Sequence, residues 1–388
     1  MRPLIVLGFS ARAAAFSAQA ANFAPYAIDL FADRDLAALC RAVKISRYPG
    51  DFLAALRDAP QAPWIYTGGL ENFPGLVERM AAIRPLLGNG GKVLRRVRNC
   101  QLLAEAAGAA GLPFPETRLS SGACVGTRPV EEDRANPAKE RAWLCKPRRG
   151  SGGLGIRAAS EAEIGLPPRG GCLQALVRGQ SASAVFMSAE GRSELVGVTR
   201  QLVGRDFGFE PALVYAGSIG PLALRENEIA KLQRLGDELA RQFGLAGLWN
   251  VDFIRTESAL WPLEVNPRYS ASVEVLERLS GRGLLGEHVA ACEAGALSGA
   301  VETVKGRVVG KAVAYAARGG VVLPGFDTLI EEWNAPECPA GILDLPRVGE
   351  RIEAGQPIAT VMVGGWEERE VESVLRERVA RVGEMVRG

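Results

Sequence analysis

The chain begins with a change from strand-like to helix-like hydrophobic patterning. Leu4–Leu7 is an apolar run that ends at Gly8, and Ser10 then precedes an alanine-rich stretch that continues to Ala21. We interpret this segment as a strand, a tight turn and a helix whose N-terminus is capped by Ser10. Its apolar core is too short for a secretory signal sequence.

Two further apolar runs in the same region predict parallel strands. Tyr26–Phe31 is the candidate second strand, and Trp64–Tyr66, followed by the loop Thr67–Gly69, is a later one. Strands that alternate with helical stretches are typical of an α/β unit, in which ligand-binding loops lie at the carboxyl ends of the strands. The pattern therefore predicts an α/β first domain over residues 1–90.

The pattern changes after this domain. Val93–Ala110 has helical periodicity and is stopped by Gly111–Pro115, which predicts a linking helix within residues 91–115. The charged, proline-containing segment 128–141 predicts an exposed loop. Near the C-terminus, short apolar segments punctuated by glycine and proline predict a β-rich subdomain, residues 301–388, closed by a final helix.

Composition narrows the function classes. The 388 residues include 46 Lys plus Arg against 44 Asp plus Glu, a net charge of +2, which provides no basic field for nucleic acid. The single histidine, His288, excludes a multi-histidine metal site; we expect it to be a structural helix residue and any metal to sit on carboxylates. The seven cysteines form no C-x-x-C pair, which indicates reduced thiols in a cytoplasmic protein. No apolar stretch is long enough for a membrane helix, so we expect no membrane partner.

A lysine before a glycine-rich loop is the first candidate for chemistry. Residues 143–156 predict a strand that carries Lys146, a loop with four glycines, and a second strand. Glycine allows backbone N–H groups to approach phosphate oxygens closely. The loop matches neither the G-x-x-x-x-G-K-[ST] pattern nor the G-x-G-x-x-G pattern, so a plain β-hairpin turn remains an alternative.

Polar residues on two neighbouring predicted strands form the second candidate site. Asp252 alternates with apolar residues on one strand, while Glu264 and Asn266 share a face of the next strand. Hard oxygen ligands gathered in this way suit Mg²⁺ that bridges polyphosphate oxygens, and Arg268 can reach the same phosphates. The alternative is a solvated strand face, which the apolar neighbours of Glu264 disfavour.

Together these features resemble the ATP-grasp superfamily, of the carboxylate–amine ligase type. The resemblance rests on the lysine before the glycine loop, on the segment Gln174–Gly179, and on the acid Asp252 ahead of the acid-x-Asn-x-Arg motif at residues 264–268. It covers most of the chain, because Gly108–Pro115 resembles the helix-to-loop junction of that family.

The resemblance implies an α/β and α+β architecture, the ATP-grasp fold. The first domain would be the Rossmann-like domain that precedes the ATP-grasp unit. A mobile lid would occupy residues 116–178, and a metal-binding subdomain would occupy residues 179–300. The β-rich subdomain at residues 301–388 would follow.

The resemblance also implies roles for individual residues, with ATP and Mg²⁺ as cofactors. Lys146 would hold the ATP phosphates, Arg268 would steady the transferred phosphoryl group, and Gln180 would lie near the ribose. Two Mg²⁺, for which Mn²⁺ is a substitute, would be bound by Asp252, Glu264 and Asn266. The lid loop over the triphosphate would consist of Gly150, Ser151, Gly152, Gly153 and Gly155. The hinge that recognises adenine would consist of Gln174, Ala175, Leu176 and Val177.

The sequence departs from the family pattern at two places. The family usually has a second nucleotide-binding lysine before the Gly-Pro junction, whereas this chain has Arg98-Asn99 there, with Lys92 further back. The tail, residues 344–361, resembles the end of the biotin and purine carboxylases, whereas Thr199–Gly208 lacks the lysine and histidine that this branch places near bicarbonate. We interpret the tail as a kinship of architecture rather than of substrate.

Substrate contacts are expected from loops at the carboxyl ends of the first domain's strands and just beyond Arg268. The candidates are Ser10, Arg12, Glu71 and Ser270. Structural alternatives exist, because Ser10 also suits a helix cap and Glu71 also suits the first turn of a helix.

The resemblance implies a ligase that phosphorylates a carboxylate with ATP and joins the acyl phosphate to an amine, releasing ADP and phosphate. We expect small-molecule carboxylate and amine substrates, an amino-acid-like substrate with a role in pterin or furan coenzyme assembly, and a homodimer. Two alternatives stay open. One is a bicarbonate-using carboxylase of the purine or biotin type, and the other is a non-catalytic ATP-binding regulatory protein.

Overall fold

The computed structural model describes residues 1–127, 142–160, 163–164, 167, 169–297, 305–334 and 340–388. The predicted loop over residues 128–141 and Cys338 lie outside the described residues. Within the described ranges, no helix is long and apolar enough to cross a membrane.

The first part of the chain folds around a parallel four-stranded sheet. Its strands are β1 (Arg2–Gly8), β2 (Phe23–Asp29), β3 (Arg41–Lys44) and β4 (Trp64–Tyr66), in the order β3-β2-β1-β4. Its helices are α1 (Arg12–Ala20), α2 (Arg34–Leu39), α3 (Phe52–Asp58) and α4 (Pro74–Ala81), and Leu70–Asn72 is a 3₁₀ turn. Leu4–Leu7 on central β1 are fully buried, because both faces of a parallel sheet are covered. The parallel α/β sheet that the sequence predicts is present.

The start of α1 differs from the predicted serine cap. Ala11 precedes the helix, and no side chain caps it. Instead the carboxylate of Asp29, at the end of β2, accepts the N–H of Ala11 at 2.6 Å and those of Phe31 and Ala32 at 2.7 and 2.6 Å. Burial raises the pKa of Asp29 to about 6. This buried acid ties together the loops that follow β1 and β2, and the prediction of a Ser10 cap was wrong.

The linking helix is interrupted. The pattern predicts one helix over Val93–Ala110, whereas the chain forms α5 (Gly91–Val97) and α6 (Cys100–Ala109). Between them, Asn99 Oδ1 accepts the backbone N–H groups two and three residues further on, at 3.0 and 3.4 Å. Asparagine is a preferred N-cap, so it starts a new helix within a segment whose apolar periodicity runs on without a break.

The next segment forms a small five-stranded sheet. Its strands are β5 (Thr117–Leu119), β6 (Cys124–Val125), β7 (Trp143–Pro147), β8 (Arg157–Ala158) and β9 (Gly171–Ala175), in the order β6-β5-β9-β7-β8. The buried core of this sheet is Trp143, Cys145 and Leu173. Few buried apolar contacts give a unit low local stability, which suits a lid subdomain.

Residues 179–297 supply long antiparallel strands and three helices. The strands are β10 (Gln180–Ala189), β11 (Arg192–Val203), β12 (Tyr215–Gly220), β13 (Gly247–Arg255) and β14 (Leu260–Asn266). The helices are α7 (Glu226–Phe243), α8 (Ala271–Ser280) and α9 (Leu285–Ala294), and Gly204–Phe207 is a 3₁₀ turn. In the core, the ring of Trp249 stacks on that of Phe186 with centroids 4.5 Å apart. Leucines of α7 pack in the same core.

The C-terminal part continues the same sheet. Its strands are β15 (Val308–Tyr315), β16 (Gly320–Val322), β17 (Ala340–Leu343), β18 (Arg351–Ile352), β19 (Pro357–Gly365) and β20 (Val386–Arg387), and its helices are α10 (Gly325–Trp333) and α11 (Glu368–Gly383). The large sheet has the order β14-β13-β10-β11-β12-β15-β19-β17, and β18-β16-β20 is a separate sheet. The sheet is therefore continuous across the boundary predicted at residue 300. Helix α11 matches the predicted final helix, whereas α10 lies in a segment for which we predicted few helical signals.

Candidate active site

Two strands of the large sheet bring the predicted metal ligands together. In the pairing of β13 with β14, Asp252 lies opposite Glu264 and Asn250 lies opposite Asn266. Directly opposed residues project from the same face of a sheet. Asn266 Nδ2 donates to Asp252 Oδ2 at 2.9 Å, and Asn250 Nδ2 donates to Asp252 Oδ1 at 2.8 Å. The three residues predicted to bind metal therefore converge.

The donor set of this centre consists of two carboxylates and an amide oxygen. Such hard oxygen ligands suit Mg²⁺. Among the described residues, no group of three or more His, Cys, Asp or Glu side chains is placed to hold a metal ion, so a metal here depends on Asn266 as well as on the two acids. Beside them, Asn250 Oδ1 is buried without a hydrogen-bond partner.

Electrostatics distinguish the two acids. Burial, together with the negative charge of Glu264, raises the pKa of Asp252 to about 7. Burial also acts to raise the pKa of Glu264, but the positive charges of Lys146, Arg98 and Arg268 outweigh it and lower that pKa overall. Two carboxylates thus face three cations, an arrangement that can accept a divalent cation together with a polyphosphate.

Lys146 reaches this centre from β7 of the five-stranded sheet. Its Nζ donates to Gln174 Oε1 at 3.1 Å, and Gln174 Nε2 donates to Thr117 Oγ1 at 3.1 Å. Gln174 is buried, so its amide fixes the direction of the lysine on the neighbouring strand. The Gln174 side chain therefore positions Lys146, a role that the sequence did not suggest.

The predicted adenine hinge begins within the last two residues of β9. Ala175 N donates to Glu116 O at 2.8 Å, and Leu176 N donates to Ala142 O at 2.9 Å. These two N–H groups are engaged by carbonyls that precede β5 and β7, so recognition of a base by this segment would use other backbone groups. Val177 is buried at the end of the hinge, and Gln180 begins β10 next to it.

The glycine loop lies against the body of the protein. Gly152, Gly153 and Gly155 have φ angles of 59°, 77° and 79°, values that favour glycine over other residues. A Cβ on Gly153 would lie 2.2 Å from the carbonyl oxygen of Leu213. Tyr215 N donates to Gly152 O at 2.8 Å. The loop is therefore in a closed position against the connection between β11 and β12.

Arg98 joins the closed loop to the first domain. The carbonyl of Gly150, which precedes Ser151, accepts from Asn72 Nδ2 at 3.1 Å and from the Arg98 guanidinium at 3.4 Å. Arg98 also donates to Asn72 Oδ1 at 2.9 Å, and its Nε is buried without a partner. Its charge reaches Glu264. Arg98 thus stands among the cations of the site, and its position just before Asn99 was the feature of the sequence that could have identified it.

Arg268 connects the predicted metal ligands to the first domain. Its guanidinium donates to Asn266 Oδ1 at 3.2 Å and to Glu71 Oε1 at 3.2 and 3.1 Å. Glu71 is buried in the 3₁₀ turn that follows β4, and its second oxygen, Oε2, has no hydrogen-bond partner. Ser270 Oγ, two residues after Arg268, is also buried without a partner. Two of the predicted substrate contacts therefore lie beside Arg268.

Arg12 lies in a different cluster. Its guanidinium donates twice to Glu274, at 2.5 and 3.0 Å, and its Nε donates to Asp344 at 2.9 Å. Ser10 is exposed, and its Oγ donates to Asp344 at 3.3 Å. The positive charges of Arg12 and Lys311 lower the pKa of Glu274 against the opposing effect of burial. Arg12 is thus engaged by protein carboxylates, and the structure does not bring it together with the metal ligands.

Comparisons with known proteins agree with this geometry. The sequence profile of the ATP-grasp domain matches residues 83–272. No curated protein sequence matches the chain. The residues that build the site, from Arg98 to Arg268, lie within the matched range.

Solved structures resemble the chain over nearly its whole length. An N5-carboxyaminoimidazole synthetase from Staphylococcus aureus is 13% identical, with 98% of this chain and 97% of that chain covered and a TM-score of 0.67. A biotin carboxylase from Campylobacter jejuni is 14% identical, with 95% and 89% covered and a TM-score of 0.68. An L-amino acid ligase from Bacillus licheniformis is 13% identical, with 100% and 98% covered and a TM-score of 0.67.

At these identities the solved structures establish the fold. They confirm the fold class that the sequence predicts, and the ATP-grasp domain match agrees with the predicted enzyme class, an ATP-dependent ligase. The domain match falls on the residues that build the site, and the fold is shared across the chain. Residues 83–272 therefore form an ATP-grasp domain, and the chain as a whole shares its fold with these enzymes.

Proposed function

We propose that this protein is an ATP-dependent carboxylate–amine ligase that forms an amide through an acyl phosphate and releases ADP and phosphate. The observation that carries the proposal is the meeting of Asp252, Glu264 and Asn266 with Arg268 and the two lid-facing cations, Lys146 and Arg98, beneath a closed glycine loop. These residues can bind a complex of the metal with the triphosphate. The loops of the first domain next to Arg268 then remain available to bind a second substrate.

The reaction has two balanced steps. An oxygen of the acid attacks the γ-phosphorus of ATP, and ADP leaves. The amine nitrogen then attacks the acyl carbon, and phosphate leaves with the carboxylate oxygen while the amine gives up its proton. No covalent protein nucleophile is needed.

The chain's residues would hold the reactants for these steps. Asp252, Glu264 and Asn266 would hold Mg²⁺, two ions in our proposal, and the metal would supply neutralisation of phosphate charge. Lys146 and Arg268 would stabilise the charge that develops on the transferred group. The closed loop at Gly150–Gly155 would keep water from the acyl phosphate.

A bicarbonate-using carboxylase is the second candidate, since carboxylases are among the solved structures with this fold. A bicarbonate site requires cations that can bind the anion. On β15, Lys311 Nζ donates to Glu274 at 2.5 Å, and on β11, Arg200 is paired with Glu368 at 2.6 Å. Both cations are therefore paired with carboxylates of the protein and are not free to bind bicarbonate, which favours the ligase.

Product analysis separates these functions. The full-length chain would be incubated with MgATP and pools of carboxylic acids, amines and bicarbonate, and ADP, AMP and phosphate would be measured. We expect ADP formation that requires one acid and one amine and that is lost in Glu264→Gln. The matched control is Glu78→Gln, which removes an exposed acid paired with Arg95 at 2.5 Å. Stimulation by bicarbonate alone would replace the ligase with the carboxylase, and AMP would contradict the acyl phosphate.

The acid, the amine and the biological setting are finer parts of the proposal. We propose a small amino-acid-like substrate, with assembly of a pterin or furan coenzyme as the setting, and a cytoplasmic homodimer as the working form. Mass spectrometry of the ligated product would identify both substrates directly.

A further inference from the structure

Only one of the two carboxylate oxygens of Glu71 has hydrogen-bond partners. Its Oε1 accepts two hydrogen bonds from Arg268, while its Oε2 is buried and has no partner. The residue is 1% exposed. A buried charged oxygen without a partner is costly, so native proteins rarely retain one unless a ligand completes it.

Aromatic residues pack against the loop that carries Glu71. Phe9 stacks on Tyr48 with ring centroids 4.2 Å apart, and Phe73 meets Tyr48 edge-on at 5.9 Å. The hydroxyl of Tyr48 is buried without a partner. A Cβ on Gly69 would lie 2.3 Å from that hydroxyl, which places Tyr48 against the loop that carries Glu71 two residues later.

These groups come from one edge of the first domain. Phe9 follows β1, Tyr48 follows β3, and Gly69 and Glu71 follow β4, so the loops after three parallel strands meet here. Ligands of open α/β sheets bind at this edge. Arg268 closes the other side, since a Cβ on Gly68 would lie 3.7 Å from its guanidinium.

We propose that Phe9, Tyr48, Glu71 and Phe73 form an amine pocket that binds the ammonium group of the amine substrate. This substrate is a primary amine with an apolar body. Glu71 Oε2 and the Tyr48 hydroxyl accept its N–H groups, and the rings of Phe9, Tyr48 and Phe73 contact the apolar body. The inference rests on the proposed ligase and names the class of its second substrate.

The chemistry of the pocket selects a cation. A second carboxylate would be repelled by Glu71, whereas an ammonium group supplies several donors to two acceptors that lack them. Aromatic faces add attraction for a cation. Because Arg268 links Glu71 to the metal ligands, an amine bound here lies next to the site of acyl phosphate formation.

The same contact supports the second step. The ammonium group transfers one proton to the Glu71 carboxylate, and the freed nitrogen lone pair forms the bond to the acyl carbon. The nitrogen gives its second surplus proton to the departing phosphate as the acyl carbon–oxygen bond breaks, and both electrons of that bond remain on the phosphate oxygen. Glu71 then returns the proton to solvent.

Calorimetry with the full-length chain and MgADP tests the pocket. The probes are butylamine and 2-phenylethylamine, each compared with its neutral alcohol, 1-butanol or 2-phenylethanol. We expect an amine probe to bind more tightly than its alcohol and Glu71→Gln to weaken that binding by about ten- to a hundredfold, as expected for hydrogen bonds to a charged group. Gln retains an acceptor for Arg268, which keeps the arginine in place. Glu78→Gln should bind as the unaltered chain does.

A second measurement keeps this inference separate from the proposed function. Hydroxylamine is largely uncharged at neutral pH and traps acyl phosphates, so hydroxamate formation from MgATP and an acid reports the first step without the ammonium pocket. We expect Glu71→Gln to retain hydroxamate formation. Absence of hydroxamate from the unaltered chain would contradict the ligase and leave the binding result to decide the pocket.

Two results would overturn the inference. One is that neither amine probe binds more tightly than its alcohol. The other is that Glu71→Gln reduces hydroxamate formation while leaving the preference for amine over alcohol unchanged, because Glu71 would then act only by positioning Arg268.

Discussion

Two arginines, the buried Arg12 and the partly buried Arg268, show how differently charge is used in two regions of this molecule. Arg12 is paired with Glu274 and Asp344, and Glu274 also accepts from Lys311 at 2.5 Å. These residues join the first domain, α8 and the C-terminal strands, and their buried polar atoms have partners. Arg268 is paired with a Glu71 carboxylate that has one oxygen unused. A completed network stabilises a junction, whereas an incomplete one retains hydrogen-bonding capacity for a ligand.

The buried polar atoms without a hydrogen-bond partner concentrate around Arg268 and strands β13 and β14. In the part of the chain that the structure describes, the buried side-chain atoms without a partner include Tyr48 OH, Glu71 Oε2, Arg98 Nε, Asn250 Oδ1 and Ser270 Oγ. These residues come from separate loops and strands. Stability alone does not account for such a concentration, because each unpaired atom lowers it.

Removal of Arg12 should have the largest effect on stability. Arg12→Met leaves Glu274 paired with Lys311 alone and leaves Asp344 without its guanidinium partner, and we expect the free energy of unfolding to fall by about 3–5 kcal/mol. Urea denaturation followed by circular dichroism measures this change. Arg95→Met, which breaks an exposed pair, should change the free energy of unfolding far less. A loss for Arg12→Met no larger than that of the control would show that the Arg12 cluster is not a structural junction.

A lysine at each arginine position separates the two roles. Arg268→Lys keeps the charge beside Glu71 but loses the planar set of donors, and we expect substrate-dependent ADP formation to fall by about 10²- to 10³-fold. Arg12→Lys should retain activity in its folded fraction. Steady-state ADP release, corrected for folded protein, is the measurement. Equal losses in both variants would remove the distinction between the two clusters.

His288 is a buried group whose bonds are complete. Its Nδ1 accepts from Leu248 N at 2.8 Å, and its Nε2 contacts the carbonyl of Leu87 at 3.1 Å. Burial lowers its pKa from 6.5 to about 4. As pH falls, the unfolded chain therefore binds a proton at His288 before the folded chain does. The contribution of His288 to the free energy of unfolding is fully present above pH 6.5 and is lost as pH falls towards 4, by about 3 kcal/mol in all.

Urea denaturation at pH 7 and pH 5 tests this dependence. His288→Asn retains an acceptor near Nδ1 and removes the titrating group, so it should lose less stability than the unaltered chain between the two values. Activity should not change in its folded fraction. An identical pH dependence in both proteins would contradict the assignment.

Tyr48→Phe should have the smallest effect on stability and an effect of opposite sign on binding. Removing a buried hydroxyl without a partner should leave the free energy of unfolding unchanged or raise it by about 1 kcal/mol. Amine binding should weaken in the same variant. Urea denaturation together with calorimetry checks both, and a destabilised variant with unchanged amine binding would count against an open pocket.

The convergence of Asp252, Glu264 and Asn266 could be predicted from the sequence because their spacing is local. Glu264 and Asn266 lie two residues apart on one strand, and Asp252 lies on its hairpin partner, so the period of a β-strand places them on one face. The glycine loop was predicted for a similar reason, since its glycines lie within one turn.

The amine pocket could not be predicted in the same way. Tyr48 lies in a loop without periodic pattern and meets Glu71 only through packing between separate strand ends. Arg12 was a candidate for substrate contact because of its position in a loop, and its carboxylate partners lie more than 250 residues away. The break between α5 and α6 depended on one side chain, Asn99, within an unbroken apolar pattern. Long-range pairing is not encoded in any local spacing.

The most direct test of the central claim is an oxygen-18 labelling experiment. Once product analysis has named the acid, that acid labelled with oxygen-18 in its carboxylate would be supplied with MgATP and the amine, and the released phosphate would be examined by mass spectrometry. An acyl phosphate formed at the Asp252, Glu264 and Asn266 site predicts one labelled oxygen in each phosphate, with no turnover in Glu264→Gln. Unlabelled phosphate, or label recovered in AMP, would contradict the account.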